Sequence, residues 1–160
     1  DGLVKLLNAD SDGDLNNVTF AGALTASNIL TEMEAMVNGC PSAVLENLSI
    51  KFVVSHKDKY KIFESYRDAT ITKGINLMDA GVPTFAGIPI VSCGIPENKM
   101  LLGVFNNGKD GQLQAGTWMD SDRGITVDRL QNNSELFFIK ALMKFGINYT
   151  RGSEIVFGQL

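Results

Sequence analysis

The sequence has few of the residues on which nucleophilic catalysis and metal binding depend. It contains two cysteines, Cys40 and Cys93, and one histidine, His56. Two cysteines are too few for a disulfide framework, so we expect two buried thiols in a reducing compartment. No cysteine-hydrolase motif surrounds either thiol, and the sequence has no zinc-ligand spacing and no phosphate-binding glycine loop. A hydrolase that uses His56 and a cysteine is therefore the weakest functional hypothesis.

Long apolar runs and an excess of positive charge are also missing. No run reaches the length of a membrane span, and no secretory leader pattern opens the sequence, so we expect no membrane partner. The net charge of -4 argues against a nucleic-acid-binding surface spread over the whole fold. With 44% hydrophobic residues among 160, the chain can bury the core of one domain.

Apolar periodicity and capping residues predict two helices. The first is expected to have its cap at Thr25 or Ser27 and to end at Asn38 and Gly39. Its apolar face, at helical spacing, consists of Ile29, Leu30, Met33, Met36 and Val37. The second helix follows Ser55, with Asp58 as the capping-box partner. The apolar segment at 3–7, LVKLL, predicts a short strand or an edge segment.

The rest of the pattern is typical of strands, which are predicted at 49–55, 87–91, 100–105, 113–118, 125–130, 135–148 and 153–157. The strand at 100–105 is expected to be central, whereas Pro89 confines its strand to an edge or a bulge. Residues 68–87 show no period and predict a functional or mobile loop, and 106–111 predict a turn. The order predicts an α+β fold with a central mixed sheet flanked by two helices.

The predicted core joins large residues of three strands, namely Phe52, Val54, Leu101, Val104 and the strand face that contains Ile139. We expect the first and last segments, 1–7 and 135–157, to pair outside the central sheet. The C-terminal part would then form long antiparallel strands.

A half calcium loop is the one metal-binding pattern in the chain. The segment at 8–17, NADSDGDLNN, places oxygen ligands at alternate positions, namely Asn8, Asp10, Asp12 and Asp14. An EF-hand loop needs a bidentate Glu at its twelfth position, and that position is Thr19. No helix pattern precedes Asn8. We interpret the segment as a solvated loop, with a small calcium-binding module as an alternative.

A second acidic cluster consists of Asp120, Asp122 and Asp128. The interleaved Arg123 and Arg129 indicate a salt-bridged surface rather than paired carboxylates for acid–base catalysis. The sequence therefore predicts no catalytic residue, no cofactor and no enzymatic activity, and it favours a structural or binding role.

The order of the segments resembles the major capsid proteins of tailed double-stranded-DNA bacteriophages over nearly the whole chain. The segment at 2–8 resembles the one that leaves the long spine helix of that family, and 49–67 resembles its strand and capped helix. A further strand begins with a motif matched by Gly87, Ile88, Pro89 and Ile90. The apolar strand at 101–105, the long amphipathic strand at 135–148 and the final strand at 153–157 complete the resemblance.

This resemblance implies a structural protein whose copies form the pentamers and hexamers of an icosahedral shell. It implies an axial domain at 17–130 and peripheral remnants at 1–16 and 131–160, without the N-terminal arm, extended loop and spine helix of the family. Such a chain on its own is expected to be a folded monomer or a weak ring-like oligomer. The implied partners are other copies of itself, scaffolding and portal proteins, and packaged DNA without sequence-specific contact. The implied location is the virion capsid, with synthesis in the bacterial cytoplasm.

Loop residues are the expected subunit contacts, because loops near a symmetry axis or between neighbours would meet other copies. The candidates are Lys73, Asp79, Asn106, Asn107, Lys109 and Asp110. An encapsulin-type compartment shell, which has the same fold, is the alternative within this class.

Overall fold

The computed structural model describes residues 2–9, 13–73, 78–79, 82–105, 111–116, 123–129, 137–143 and 145–160. Its α-helices are α1 Leu3–Asn8, α2 Ile29–Asn38, α3 Ser42–Leu45 and α4 His56–Lys73. Its strands are β1 Asn16–Thr19, β2 Ile50–Ser55, β3 Met78–Asp79, β4 Val82–Phe85, β5 Ile88–Cys93, β6 Lys99–Val104, β7 Leu113–Gly116, β8 Arg123–Arg129, β9 Phe137–Met143, β10 Gly146–Tyr149 and β11 Val156–Gln159. A short 3-10 helix, Gly152–Glu154, precedes β11. The predicted α+β class is confirmed.

A seven-stranded mixed sheet lies at the centre, in the order β1-β11-β6-β2-β5-β4-β3. Strand β2 pairs antiparallel with β6 and parallel with β5. Because β6 lies between β11 and β2, its predicted central position is confirmed. Helices α2 and α4 contact each other and the sheet, as expected for a sheet flanked by two helices.

The sheet separates two apolar clusters. On one side, Phe52, Val54, Met100 and Leu102 pack with the buried residues of α2 and α4. On the other side the buried residues are Leu7, Leu15, Leu101, Ile155 and Phe157. Because side chains alternate along β6, Leu101 belongs to the second cluster. The prediction that Leu101 and Phe52 share one core is therefore wrong.

The predicted apolar face of α2 is confirmed, and only one of the two predicted helix caps is. Ile29, Met33 and Met36 in α2 are fully buried. Asn28, and not Thr25 or Ser27, precedes the first residue of that helix, and it makes no side-chain capping bond. Its Oδ1 instead accepts a hydrogen bond of 2.7 Å from the Thr25 N–H, which closes the turn before the helix.

The start of α4 follows the prediction. Ser55 Oγ accepts a hydrogen bond of 3.0 Å from the Asp58 N–H, and its hydroxyl donates to Asp58 Oδ2 at 2.7 Å. Asp58 is fully buried, and it also accepts bonds from the Asn98 N–H at 3.0 Å and from Lys61 Nζ at 2.7 Å. This carboxylate therefore ties the helix start to the turn between β5 and β6.

Two predictions about the ends of the chain are wrong. Segment 3–7 belongs to helix α1, because Leu3, Val4 and Leu7 lie on one helical face against the second cluster. A run this short does not show by its period whether it is a helix or a strand. The final strand does not pair outside the central sheet. Strand β11 lies within it, parallel to β1 and antiparallel to β6.

Three further predictions, one about a loop and two about strands, need correction. Residues 68–87 are not a structureless loop, since α4 continues to Lys73 and β3 and β4 follow. Pro89 lies in an interior strand, which is tolerated because the parallel ladder with β2 begins only at Ile90. The predicted strand at 135–148 is two strands, β9 and β10, and Ile139 in β9 is exposed rather than buried.

The hairpin between β4 and β5 contains a strained residue that suggests a stabilising substitution. Ala86 and Gly87, between the paired Phe85 and Ile88, have φ angles of 50° and 79°. Both values are those of a type I′ turn, where Asn-Gly is preferred. We expect Ala86→Asn to raise the free energy of unfolding by about 0.5–1 kcal/mol, measured by urea denaturation. Gly87→Ala should lower it, and an unchanged midpoint for both variants would contradict this turn geometry.

Candidate assembly surfaces

Residues 111–150 include two antiparallel strand pairs outside the central sheet. Strand β7 pairs with β10, from Leu113 opposite Tyr149 to Gly116 opposite Gly146. Strand β8 pairs with β9, from Arg123 opposite Met143 to Arg129 opposite Phe137. The second pair, which we call the ribbon, consists of two seven-residue strands that pack mainly on each other.

Gln112 anchors the base of this region to the central sheet. Its Oε1 accepts a hydrogen bond of 2.8 Å from the Val104 N–H, and its Nε2 donates to Glu154 Oε2 at 3.1 Å. Its backbone N–H donates to the Val104 carbonyl and its own carbonyl accepts from the Thr150 N–H. Gly103 leaves room for this side chain, because a Cβ there would lie 2.5 Å from Gln112 Oε1. Strand β7 therefore begins, and β10 ends, at a fixed point on β6.

The bond from Gln112 is one of two that hold the Glu154 carboxylate. Arg151 donates to Glu154 Oε1 at 2.8 Å. This bond, together with the one from Gln112, lowers the pKa of Glu154. Its contribution to stability is present above the pKa of the unfolded state and is lost as the pH falls through the lower folded value.

We expect Gln112→Ala to lower the free energy of unfolding by about 1–3 kcal/mol, because the buried Val104 N–H loses its partner. Gln114→Ala is the matched control, since Gln114 is exposed in β7 and should change stability by less than about 0.5 kcal/mol. Urea denaturation of both variants gives the comparison. Equal effects would show that Gln112 is not an anchor.

A cavity of about 620 Å³ adjoins this anchor. Its wall includes Asn47, Gln112, Thr150, Arg151 and Glu154 together with apolar residues of α3 and β6. Gln112 and Glu154 make their hydrogen bonds to other residues of the chain, so these two side chains of the cavity wall have a structural role.

The ribbon presents apolar side chains to solvent. Val127 lies directly opposite Ile139, and Arg129 lies opposite Phe137, so Val127, Phe137 and Ile139 share one face of the strand pair. Their exposed fractions are 58%, 55% and 67%. We call these three residues the ribbon patch. Exposed apolar side chains grouped in this way mark a binding surface more often than isolated ones do.

A second apolar surface is a groove between α1 and β10. Its volume is about 440 Å³, and its wall consists of Gly2, Lys5, Leu6, Ala9, Phe145, Gly146 and Ile147. Leu6, Phe145 and Ile147 are exposed by 36%, 63% and 37%. Spacings of three and four residues align Gly2, Leu6 and Ala9 on the helical face that lines this groove.

Two of the four residues proposed from the sequence for calcium, Asn8 and Asp14, have described positions. Asn8 ends helix α1, Asp14 is exposed, and Asp10 and Asp12 lie outside the described residues. The expectation that no helix precedes Asn8 is wrong, since α1 does. However, a strand, β1, follows the loop where an EF-hand has its second helix. No group of three or more His, Cys, Asp or Glu side chains occurs among the residues with described positions.

The structure describes the three residues of the hydrolase hypothesis, namely Cys40, Cys93 and His56. Cys40 is buried, and this burial raises the pKa of its thiol to about 11. Burial also raises the pKa of the half-buried Cys93, while His56 is exposed at the start of α4. An activated cysteine needs the opposite shift of its pKa.

Most of the predicted subunit contacts lie outside the described residues, namely Asn106, Asn107, Lys109 and Asp110. Lys73 ends α4 and Asp79 ends β3, and their side chains are likewise outside the description. The three carboxylates Asp120, Asp122 and Asp128 also have no described side chain. Sequence reasoning missed the surfaces around Leu6, Phe145 and Val127, although the apolar alternation of β8 and β9 was a usable signal.

The chain has the phage major-capsid fold, which is shared with encapsulins, as its likeness to solved structures shows. A chain of Mycobacterium phage Che8 matches 91% of this chain at a TM-score of 0.56 with 13% identity. The holo-SrpI encapsulin complex of Synechococcus elongatus matches 96% at 0.52 with 17% identity. The procapsid of satellite phage P4 matches 99% at 0.52 with 12% identity.

These structures are longer than this chain, which spans 53%, 55% and 51% of their respective lengths. No protein-family model and no curated protein matches the sequence. Within the described part of the chain, no helix is both long and apolar enough to cross a membrane. The fold is therefore established by structural likeness.

Proposed function

We propose that this chain is a structural protein of a phage shell, a major capsid subunit that self-assembles into pentamers and hexamers. The observation that supports this proposal is the fold, which it has in common with a phage procapsid and an encapsulin complex. The two exposed apolar surfaces, the ribbon patch and the groove, give the chain the kind of surface that self-assembly needs.

The proposal assigns different parts of the chain to the axial and the peripheral part of the subunit. Residues 17–130 would form the axial part near the centre of a pentamer or hexamer, and 1–16 and 131–160 would contribute to the peripheral part. Other copies of the chain are the main partners, with scaffolding and portal proteins as further ones. Packaged DNA would lie inside the shell without sequence-specific contact, and the location would be the virion.

An encapsulin-type compartment is the second candidate, because the likeness to the encapsulin complex is nearly as strong as that to the phage chain. Both candidates predict self-association and differ in what the shell encloses. Neighbouring genes for a portal or a terminase would favour the phage shell, and a neighbouring cargo gene would favour the compartment.

Analytical ultracentrifugation combined with negative-stain electron microscopy tests the shared prediction. We expect the chain to be monomeric at low micromolar concentration and to associate into ring-shaped oligomers as the concentration rises. A chain that sediments as a monomer up to near-millimolar concentration would contradict a role in self-assembly.

A further inference from the structure

We propose that the ribbon patch of one copy docks into the α1–β10 groove of a second copy. This inference rests on the proposed function, because it names the surfaces through which the self-assembling chain contacts itself. One surface consists of Val127, Phe137 and Ile139, and the other is formed around Leu6, Phe145 and Ile147.

The ribbon has an exposed apolar face that a partner could cover. An isolated two-stranded sheet is marginally stable in water, and the main contact described for β8 and β9 is the one they make with each other. The cross-strand pair of Val127 and Ile139 lies on a face where both side chains are more than half exposed. Covering this face would remove apolar surface from water and stabilise the strand pairing.

The groove has the complementary shape and chemistry. It is a concave surface with a mainly apolar wall, and its volume of about 440 Å³ has room for large side chains such as those of the ribbon patch. Lys5 is the one charged residue of the groove wall. Within one copy both surfaces are exposed, so neither covers the other.

The area that the contact would bury determines the affinity that we expect between two copies. The six exposed side chains offer on the order of 100 Å² each on average, or roughly 600 Å² of apolar surface for the contact. Since apolar atoms form about 60% of a typical interface, the total would be about 1,000 Å², the lower limit for a specific contact. A single contact is therefore weak. Because the two surfaces differ, each copy can make two such contacts, which leads to rings or larger assemblies.

Cross-linking between two copies that each carry one introduced cysteine tests the geometry. Both copies carry Cys93→Ser, and Cys40 remains because it is buried and its raised pKa keeps it unreactive. One copy carries Ile139→Cys and the other carries Leu6→Cys. After mild oxidation, we expect about tenfold more disulfide-linked dimer in the mixture than in either copy alone.

The controls separate this contact from its alternatives. A third copy with Leu48→Cys, on a fully exposed side chain outside both surfaces, should give no excess with the Ile139→Cys copy. Abundant dimers of the Ile139→Cys copy alone would overturn the proposal in favour of ribbon-to-ribbon pairing. Equal yields in all mixtures would indicate random collision and would also overturn it.

Sedimentation of non-cysteine variants distinguishes this proposal from the proposed function. We expect Val127→Ser combined with Ile139→Ser to weaken association about tenfold or more, while Leu48→Ser changes it less than about twofold. A parent chain that associates equally well with the double substitution would overturn the ribbon contact alone. A parent chain that never associates would overturn both proposals. Far-UV circular dichroism confirms that each variant is folded.

Discussion

Replacing Phe52 with alanine is expected to lower the free energy of unfolding by about 3–5 kcal/mol. Phe52 lies in β2, between β5 and β6, opposite Ile90 on one side and Leu102 on the other. Its ring is fully buried and meets the Phe85 ring edge-on, with a centroid distance of 6.1 Å and an interplanar angle of 83°. The substitution removes apolar contacts on a central strand, where both neighbouring strands limit how far the cavity can close.

A loss of this size is a large part of the stability of an ordinary domain, which is about 5–15 kcal/mol. Urea denaturation followed by circular dichroism measures it. Phe52→Leu keeps most of the volume and should lose no more than about 1.5 kcal/mol, which separates cavity formation from the loss of the aromatic contact. An unchanged unfolding midpoint for Phe52→Ala would show that β2 is not a core strand.

The elements that sequence reasoning placed correctly are those with strong local signals. Helix α2 has three fully buried apolar residues at helical spacing, and α4 begins at the predicted Ser55–Asp58 pair. The β-branched and aromatic run of β2 and the apolar run of β6 are long enough to be distinguished from their polar surroundings. These signals depend only on residues within a few positions of each other.

The position of β11 could not be predicted in the same way. It lies between β1 and β6, so its neighbours in the sheet come from residues far away along the chain. A short apolar strand fits many sheet positions equally well, and nothing local favours one of them. The helix α1 shows a second limit, because six residues contain too few turns for periodicity to distinguish a helix from a strand.

The exposed ribbon illustrates what a pattern cannot determine about a binding surface. The alternation in β9 correctly assigns Phe137 and Ile139 to one face, since the two residues are two positions apart. However, alternation does not show whether the same chain or another copy covers that face. The sequence therefore predicted Ile139 as a core residue, and the structure shows it exposed.

Gly158→Val is expected to lower the free energy of unfolding by about 3 kcal/mol or more. Gly158 lies in β11, opposite Val18 of β1 and Met100 of β6. A Cβ at this position would be 2.6 Å from Phe20 Cε1 and 2.8 Å from Met36 Sδ. Both side chains are buried, so the ring of Phe20 has no open space to move into. Strand propensity alone predicts that this substitution raises the free energy of unfolding, because valine has a higher strand propensity than glycine.

Gly116→Val is the matched control for this prediction. Gly116 is also a strand glycine, in β7, and a Cβ there would have no heavy atom within 4 Å. We expect Gly116→Val to be neutral or slightly stabilising, since valine reduces the freedom of the unfolded chain and no contact opposes it. Urea denaturation of both variants, at concentrations where the chain is monomeric, compares steric fit with strand preference. If both variants were equally stable, Phe20 would have to move freely, and the close packing of β11 against α2 would be wrong.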